Sequence, residues 1–134
     1  MGKNLILETI PREMHTGVLA LDRHGRALYA NTFFFSLFPV DGGVEGRPVA
    51  ECVKSERLLQ SVQALLDRMD GKSEDIEIAE ANRFFSVHIV PIKDKADFSL
   101  ILFLQDITEE KRVETIKRDF VANVSHELRT PLAS

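Results

Sequence analysis

An α+β domain is what this sequence predicts: an antiparallel five-stranded sheet with flanking helices, followed by a long C-terminal helix. Three observations lead there. Two short apolar runs flank a turn near the start, and of three later strand-like segments the first two alternate apolar with polar residues at period two. From residue 109 onward the apolar side chains instead recur at helical spacing. The 134 residues suffice for one domain with a core of ordinary size plus an appendage.

The elements follow in order. Within residues 1–14, Leu5 to Ile10 forms a short N-terminal helix stopped by Pro11. Gly17 to Leu21 is a buried strand, Asp22-Arg23-His24-Gly25 a hairpin turn, and Arg26 to Ala30 a second strand. Asn31 stands where a helix N-cap belongs, ahead of Thr32 to Phe38. A proline and three glycines between Pro39 and Gly46 break the pattern. A short helical piece spans Val49 to Val53. A longer amphipathic helix runs from about Glu56 to Met69 and is ended by Gly71. Strands at about Glu74 to Ala79, Arg83 to Pro91 and Phe98 to Gln105 complete the sheet, with Asp94 and Lys95 in the last turn. Ile76, Ile78, Phe85, Val87 and Ile89 mark the covered face.

Composition narrows the function. Hydrophobic content of 44% and charged content of 28% are those of a soluble globular protein, and a formal charge of −4 offers no basic footprint for nucleic acid. The single cysteine, Cys52, excludes an internal disulfide and suits a reducing cytoplasm. Leu100 to Leu104 is far too short an apolar run to span a bilayer. His15, His24, His88 and His126 are scattered, so no metal site is expected.

The last segment carries the chemistry. On a helix advancing roughly 100° per residue, Val113, Ile116, Phe120, Val121, Val124, Leu128 and Leu132 share one arc. His126 points to the other side. Lys117 and Glu127 intrude on the apolar arc. A side chain that acts as a nucleophile on an incoming substrate has to stand in solvent while its helix is anchored elsewhere. Unprotonated imidazole offers a lone pair to phosphorus, and a carboxylate such as Glu127 can hold the other ring N–H. Thr130 lies one turn beyond His126 on nearly the same face. Pro131 offers no N–H to the carbonyl of Glu127, so a bend is expected just past the histidine. Ser125-His126-Glu127 has the composition of a hydrolase triad, but successive helical residues diverge and cannot act as one.

The run from Arg118 to Ser134, with S-H-E-L-R-T-P-L at Ser125 to Leu132 and Phe120 six positions before the histidine, closely resembles the phosphoacceptor box of bacterial sensor histidine kinases. The resemblance implies that His126 accepts the γ-phosphoryl group of ATP, that Glu127 is its acid/base partner, and that Thr130 orients the water that dephosphorylates the partner protein. It also implies a homodimer, a response regulator as phosphoryl acceptor, and ATP and Mg held in a catalytic domain of the parent chain. No ATP-binding segment is recognisable here, so the piece is expected to be truncated and inactive alone. The parent is expected in the cytoplasm or anchored in the bacterial inner membrane.

The preceding region resembles a PAS domain, of the kind found in phosphate-sensor-type kinases. The likeness rests on L-x-x-I-P at the start, D-x-x-G-R with the strand into Asn31, Asp106-Ile107-Thr108 at the exit, and the order of elements. It gives an N-terminal helix at 1–14, a PAS sensor domain at 15–108, and a signalling helix with the start of the phosphoacceptor helix at 109–134. Asp106 with Glu109, or else Thr108, can cap the exit helix and couple sheet to helix, and Pro131 would loosen it at the reacting turn.

The PAS resemblance implies a cavity able to take a small molecule. Cys52 lies in A-E-C-V-K, unlike the flavin-binding cysteine segment, and no histidine falls between Glu56 and Met69 to ligate haem. No chromophore is expected, and the cofactor-binding residues stay unassigned. Phe33, Phe34, Phe35, Phe84 and Phe85 read as core in preference to pocket lining, and Arg83 and His88 as surface in preference to contacts for an acidic ligand. The competing function is a non-enzymatic PAS module for dimerisation or small-ligand binding.

Overall fold

Antiparallel pairing joins five strands: β1 Thr16–Leu21, β2 Ala27–Ala30, β3 Glu74–Glu80, β4 Arg83–Asp94 and β5 Asp97–Asp106. The structure, a computed structural model, describes residues 15–94 and 97–133. The helix expected over residues 1–14 lies outside them. In space the strands run β2-β1-β5-β4-β3, so the last strand enters the sheet beside the first. The helices α1 Thr32–Leu37, α2 Val49–Cys52 and α3 Glu56–Arg68 stand between the early hairpin and β3. Directly after β5 comes α4, Thr108–Ala133.

One face of the sheet makes the core. Register sets Leu19 opposite Leu102, Leu21 opposite Leu100, Val87 opposite Leu104 and Ile78 opposite Phe85, and all of these are buried. Phe34, Leu58, Val62 and Leu65 close over them from the helices. Packing of this kind, in which apolar side chains fill the space between layers, supplies most of a domain's stabilisation.

Local chemistry fixes the order of elements. Asn31 caps α1 through its side-chain oxygen, which accepts from Phe34 N at 2.9 Å. The same oxygen accepts from Val18 N at 2.9 Å, and the amide nitrogen donates to Thr16 O at 3.0 Å. One side chain thus ties α1 to β1. Gly17 permits that approach, because a Cβ there would stand 3.2 Å from Phe34 Cα.

Five sequence expectations are corrected. Phe38 is the extended C-cap of α1 and lies outside it, and Asp94, expected in the last turn, ends β4 paired with Asp97. Arg26 lies outside β2; it forms an isolated bridge with Pro48, and its guanidinium donates to Gly46 O at 2.9 Å. The short helix α2 ends at Cys52, with Val53 as its C-cap in extended conformation. The long helix ends earlier than expected: Met69, not Gly71, turns into the left-handed region at φ 49°, and its N–H donates to Leu65 O. Glycine does not always take that position, and here an exposed methionine bears the strain.

Candidate functional site

The site begins where the sheet hands over to α4. Ile107 N donates to Phe84 O at 2.8 Å, and Phe84 N donates to the Thr108 hydroxyl at 3.0 Å. That hydroxyl donates in turn to Asp106 Oδ1 at 2.5 Å, which also accepts from Thr108 N at 2.9 Å. Of the capping alternatives, Asp106 is therefore the acceptor, while Glu109 faces Arg112 at 3.4 Å. Two charged contacts reinforce the joint. Arg83 Nη1 stands 3.8 Å from Asp106 Oδ2, and Lys111 Nζ stands 2.5 Å from Glu77 Oε1. The hydrogen bond to Glu77 pushes the Lys111 ammonium above its ordinary range, against a small desolvation effect. The first turn of α4 is thus held to both β4 and β3.

Sequence reasoning named Asp106 and Thr108 but missed Phe84 and Arg83 as their partners, having read Arg83 as surface in preference to a contact for an acidic ligand, and missed the Glu77–Lys111 pair beside them. Those partners are set by strand register, which puts Phe85 opposite Asp106, and no local motif reports register.

Beyond the joint, α4 continues through His126 and Pro131 to Ala133. His126 stands eighteen residues past Thr108, or about 27 Å along the axis at about 1.5 Å per residue. His126 and Glu127 are both exposed, and the side chains of Thr130 and Pro131 lie outside those described. Apolar residues on the same helix are exposed as well, Ile116 at 60% and Phe120 at 67%, with Val113, Val121, Val124 and Leu128 beside them. Ion pairs Arg112–Glu109 and Arg118–Glu114 run along the helix surface.

The second feature is an open cleft of about 310 Å³ against the start of β4, where Phe38 and Phe85 meet Cys52, Lys54 and Arg83. Of the phenylalanines considered from the sequence, Phe34 and Phe85 are core, Phe85 also lines the cleft, Phe33 and Phe35 are half-buried, and Phe84 is exposed. Arg83 and His88 are separated: Arg83 reaches the cleft, and His88 pairs with Asp75 across β3 and β4. Burial pushes the Cys52 thiol up, Arg47 pulls it down by less, and Glu51 adds to the rise.

Comparison with known proteins places this arrangement. No protein-family profile matches the chain. The sensor protein kinase WalK of Staphylococcus epidermidis is 34% identical over 131 residues, which cover 96% of the chain. WalK of Staphylococcus aureus is 34% identical over 135 residues. The chain is a relative of sensor histidine kinases. It spans 21% of the length of these WalK kinases. The fold of this sensor-kinase relative is that of a PAS domain. A PAS domain of histidine kinase ThkA, 15% identical, superimposes with a TM-score of 0.55 over 68% of the chain and 98% of that domain. The PAS domain of Bordetella pertussis BvgS, 18% identical, does so with 0.56 over 92% of the chain and 99% of that domain. Among the described residues of the chain, no helix is long and apolar enough to cross a membrane.

Proposed function

We propose that this chain is the sensory and phosphoacceptor portion of a two-component histidine kinase, whose parent transfers phosphoryl from ATP to His126 and then to a response-regulator aspartate. The observation that carries the proposal is the likeness to WalK kinases over 96% of the chain, a stretch that takes in the exposed histidine on a helix rigidly joined to a PAS-fold sheet.

The roles follow from chemistry. An unprotonated ring nitrogen of His126 attacks the γ-phosphorus in line, the bond to the β-phosphate oxygen breaks, and ADP leaves with that oxygen's electrons. Glu127 holds the other ring N–H and balances the positive charge on the phosphorylated imidazole. Thr130 orients the water in the reverse, phosphatase direction. Nucleotide and Mg belong to the parent's catalytic domain, so the isolated chain is inactive with ATP. Asp106 and Thr108 transmit strand movement into α4, and Pro131 lets the reacting turn bend. A homodimer forms along the apolar side of α4.

Labelling tests this. The parent kinase with ATP is expected to give acid-labile, base-stable phosphate on His126, and His126→Gln is expected to abolish it without changing the melting temperature, since the side chain is exposed. Undiminished labelling of His126→Gln would refute the assignment.

A further inference from the structure

The open cleft has a mixed lining with a definite pattern. Its lining combines apolar Leu37, Phe38 and Phe85 with the cationic Lys54 and Arg83 and the acidic Glu51 and Glu80. Phe38 and Phe85 belong to the same buried cluster as Phe34, Leu58, Leu65, Leu102 and Leu104, so a ligand in this cleft would rest against the edge of the core.

Arg83 links the cleft to the output helix. Its side chain is 51% exposed and stands 3.8 Å from Asp106, too far for a hydrogen bond, so its guanidinium donors are open to another acceptor. Asp106 is the residue that accepts from Thr108 at the start of α4. A planar guanidinium binds a carboxylate through two parallel N–H bonds, a stronger contact than the long pair it now makes. The acidic residues of the lining repel di- and triphosphates but tolerate a single carboxylate, with or without an ammonium beside it.

Resting on the sensory reading above, we infer that this cleft binds a small molecule with one carboxylate on an apolar body, and that Arg83 signals its arrival by turning from Asp106 to the ligand. The apolar body lies on Phe38 and Phe85. Freed of Arg83, Asp106 keeps its bonds to Thr108 but changes its charge environment, and the joint with α4 shifts.

Titrating this 134-residue chain with phenylacetate, phenylalanine and phenethylamine, followed by NMR of the backbone amides, tests the inference. Saturable shifts at Phe85 and at Thr108 are expected with phenylacetate or phenylalanine. Tighter phenylalanine binding assigns the ammonium to Glu51 or Glu80, and tighter phenylacetate binding assigns a bare acid. Arg83→Gln is expected to weaken binding about tenfold, the worth of a charged hydrogen bond. Lys54→Gln is expected to weaken it by less. Asp106→Asn, which keeps the acceptor oxygen but frees Arg83, is expected to tighten it roughly threefold, the order of an exposed ion pair. No saturation by either acid up to about 10 mM, binding of phenethylamine alone, or unchanged affinity in folded Arg83→Gln would each overturn the site. Unchanged or weaker binding by Asp106→Asn would overturn the link to α4. Failure here with His126 still labelled in the parent leaves the kinase reading intact, whereas loss of labelling with binding retained removes only that reading.

Discussion

Asn31 joins two elements with three hydrogen bonds from one side chain, to Phe34 N, Val18 N and Thr16 O. Asn31→Ala removes a helix cap and leaves groups near β1 without partners, so a loss of about 2–3 kcal/mol in urea unfolding is expected. The cap itself was legible from its place before Thr32. Its bonds to β1 were not, because those partners lie thirteen and fifteen residues away. Cys52 gives a pH-dependent test. Burial holds its thiol above the ordinary value near 9.0, so the folded protein retains a proton that the unfolded chain has already released. Between the two values the unfolded state binds fewer protons, and stability must fall as pH rises. Melting temperature is expected to drop from about pH 9 upward by more in this protein than in Cys52→Ser, with the difference vanishing near neutral pH. Equal pH profiles for both proteins would show that the thiol is not desolvated.

At the scale of elements, alternation located β3 and β4 and helical spacing located α3 and α4, because each has one covered face that the sequence must repeat, whereas β1, β2 and α1 were located by the turn and the cap beside them. Ends were read less well. The long helix stops at Met69 in a left-handed conformation that a side chain adopts at a cost, two residues before the glycine expected to end it. Met69→Gly removes that strain at an exposed position, and a gain of about 0.5–1 kcal/mol is expected, seen as a higher urea midpoint at unchanged slope. A loss would mean that the methionine side chain packs more than its exposure suggests. The joint between β5 and α4 divides in the same way. Asp106 and Thr108 announce themselves locally as capping residues, whereas Arg83 reaches Asp106, and Glu77 reaches Lys111, only through pairing of β3, β4 and β5.

At the scale of the whole molecule, α4 is a helix held to the sheet at its first turn, with apolar side chains exposed from Val113 to Leu128. Val113, Ile116, Phe120 and Val124 recur at three- and four-residue intervals and are exposed, the spacing of a coiled-coil seam. An apolar stripe of that length on a helix continuous with the sheet calls for a second helix, and a second copy of this chain supplies one with the same pattern in parallel. Pairing along that stripe would leave His126 on the other side of the helix, as the proposed phosphoacceptor role requires. Because each side chain removed from water contributes roughly 25 cal/mol per Å², the seam should be held by burial and not by the surface ion pairs. Sedimentation velocity is therefore expected to show concentration-dependent dimers that persist in high salt, with Ile116→Asp shifting the chain toward monomer by placing a charge in the seam. Unchanged dimerisation in that variant would move the interface off α4. Dissociation of the unaltered chain by salt alone would assign it to charge.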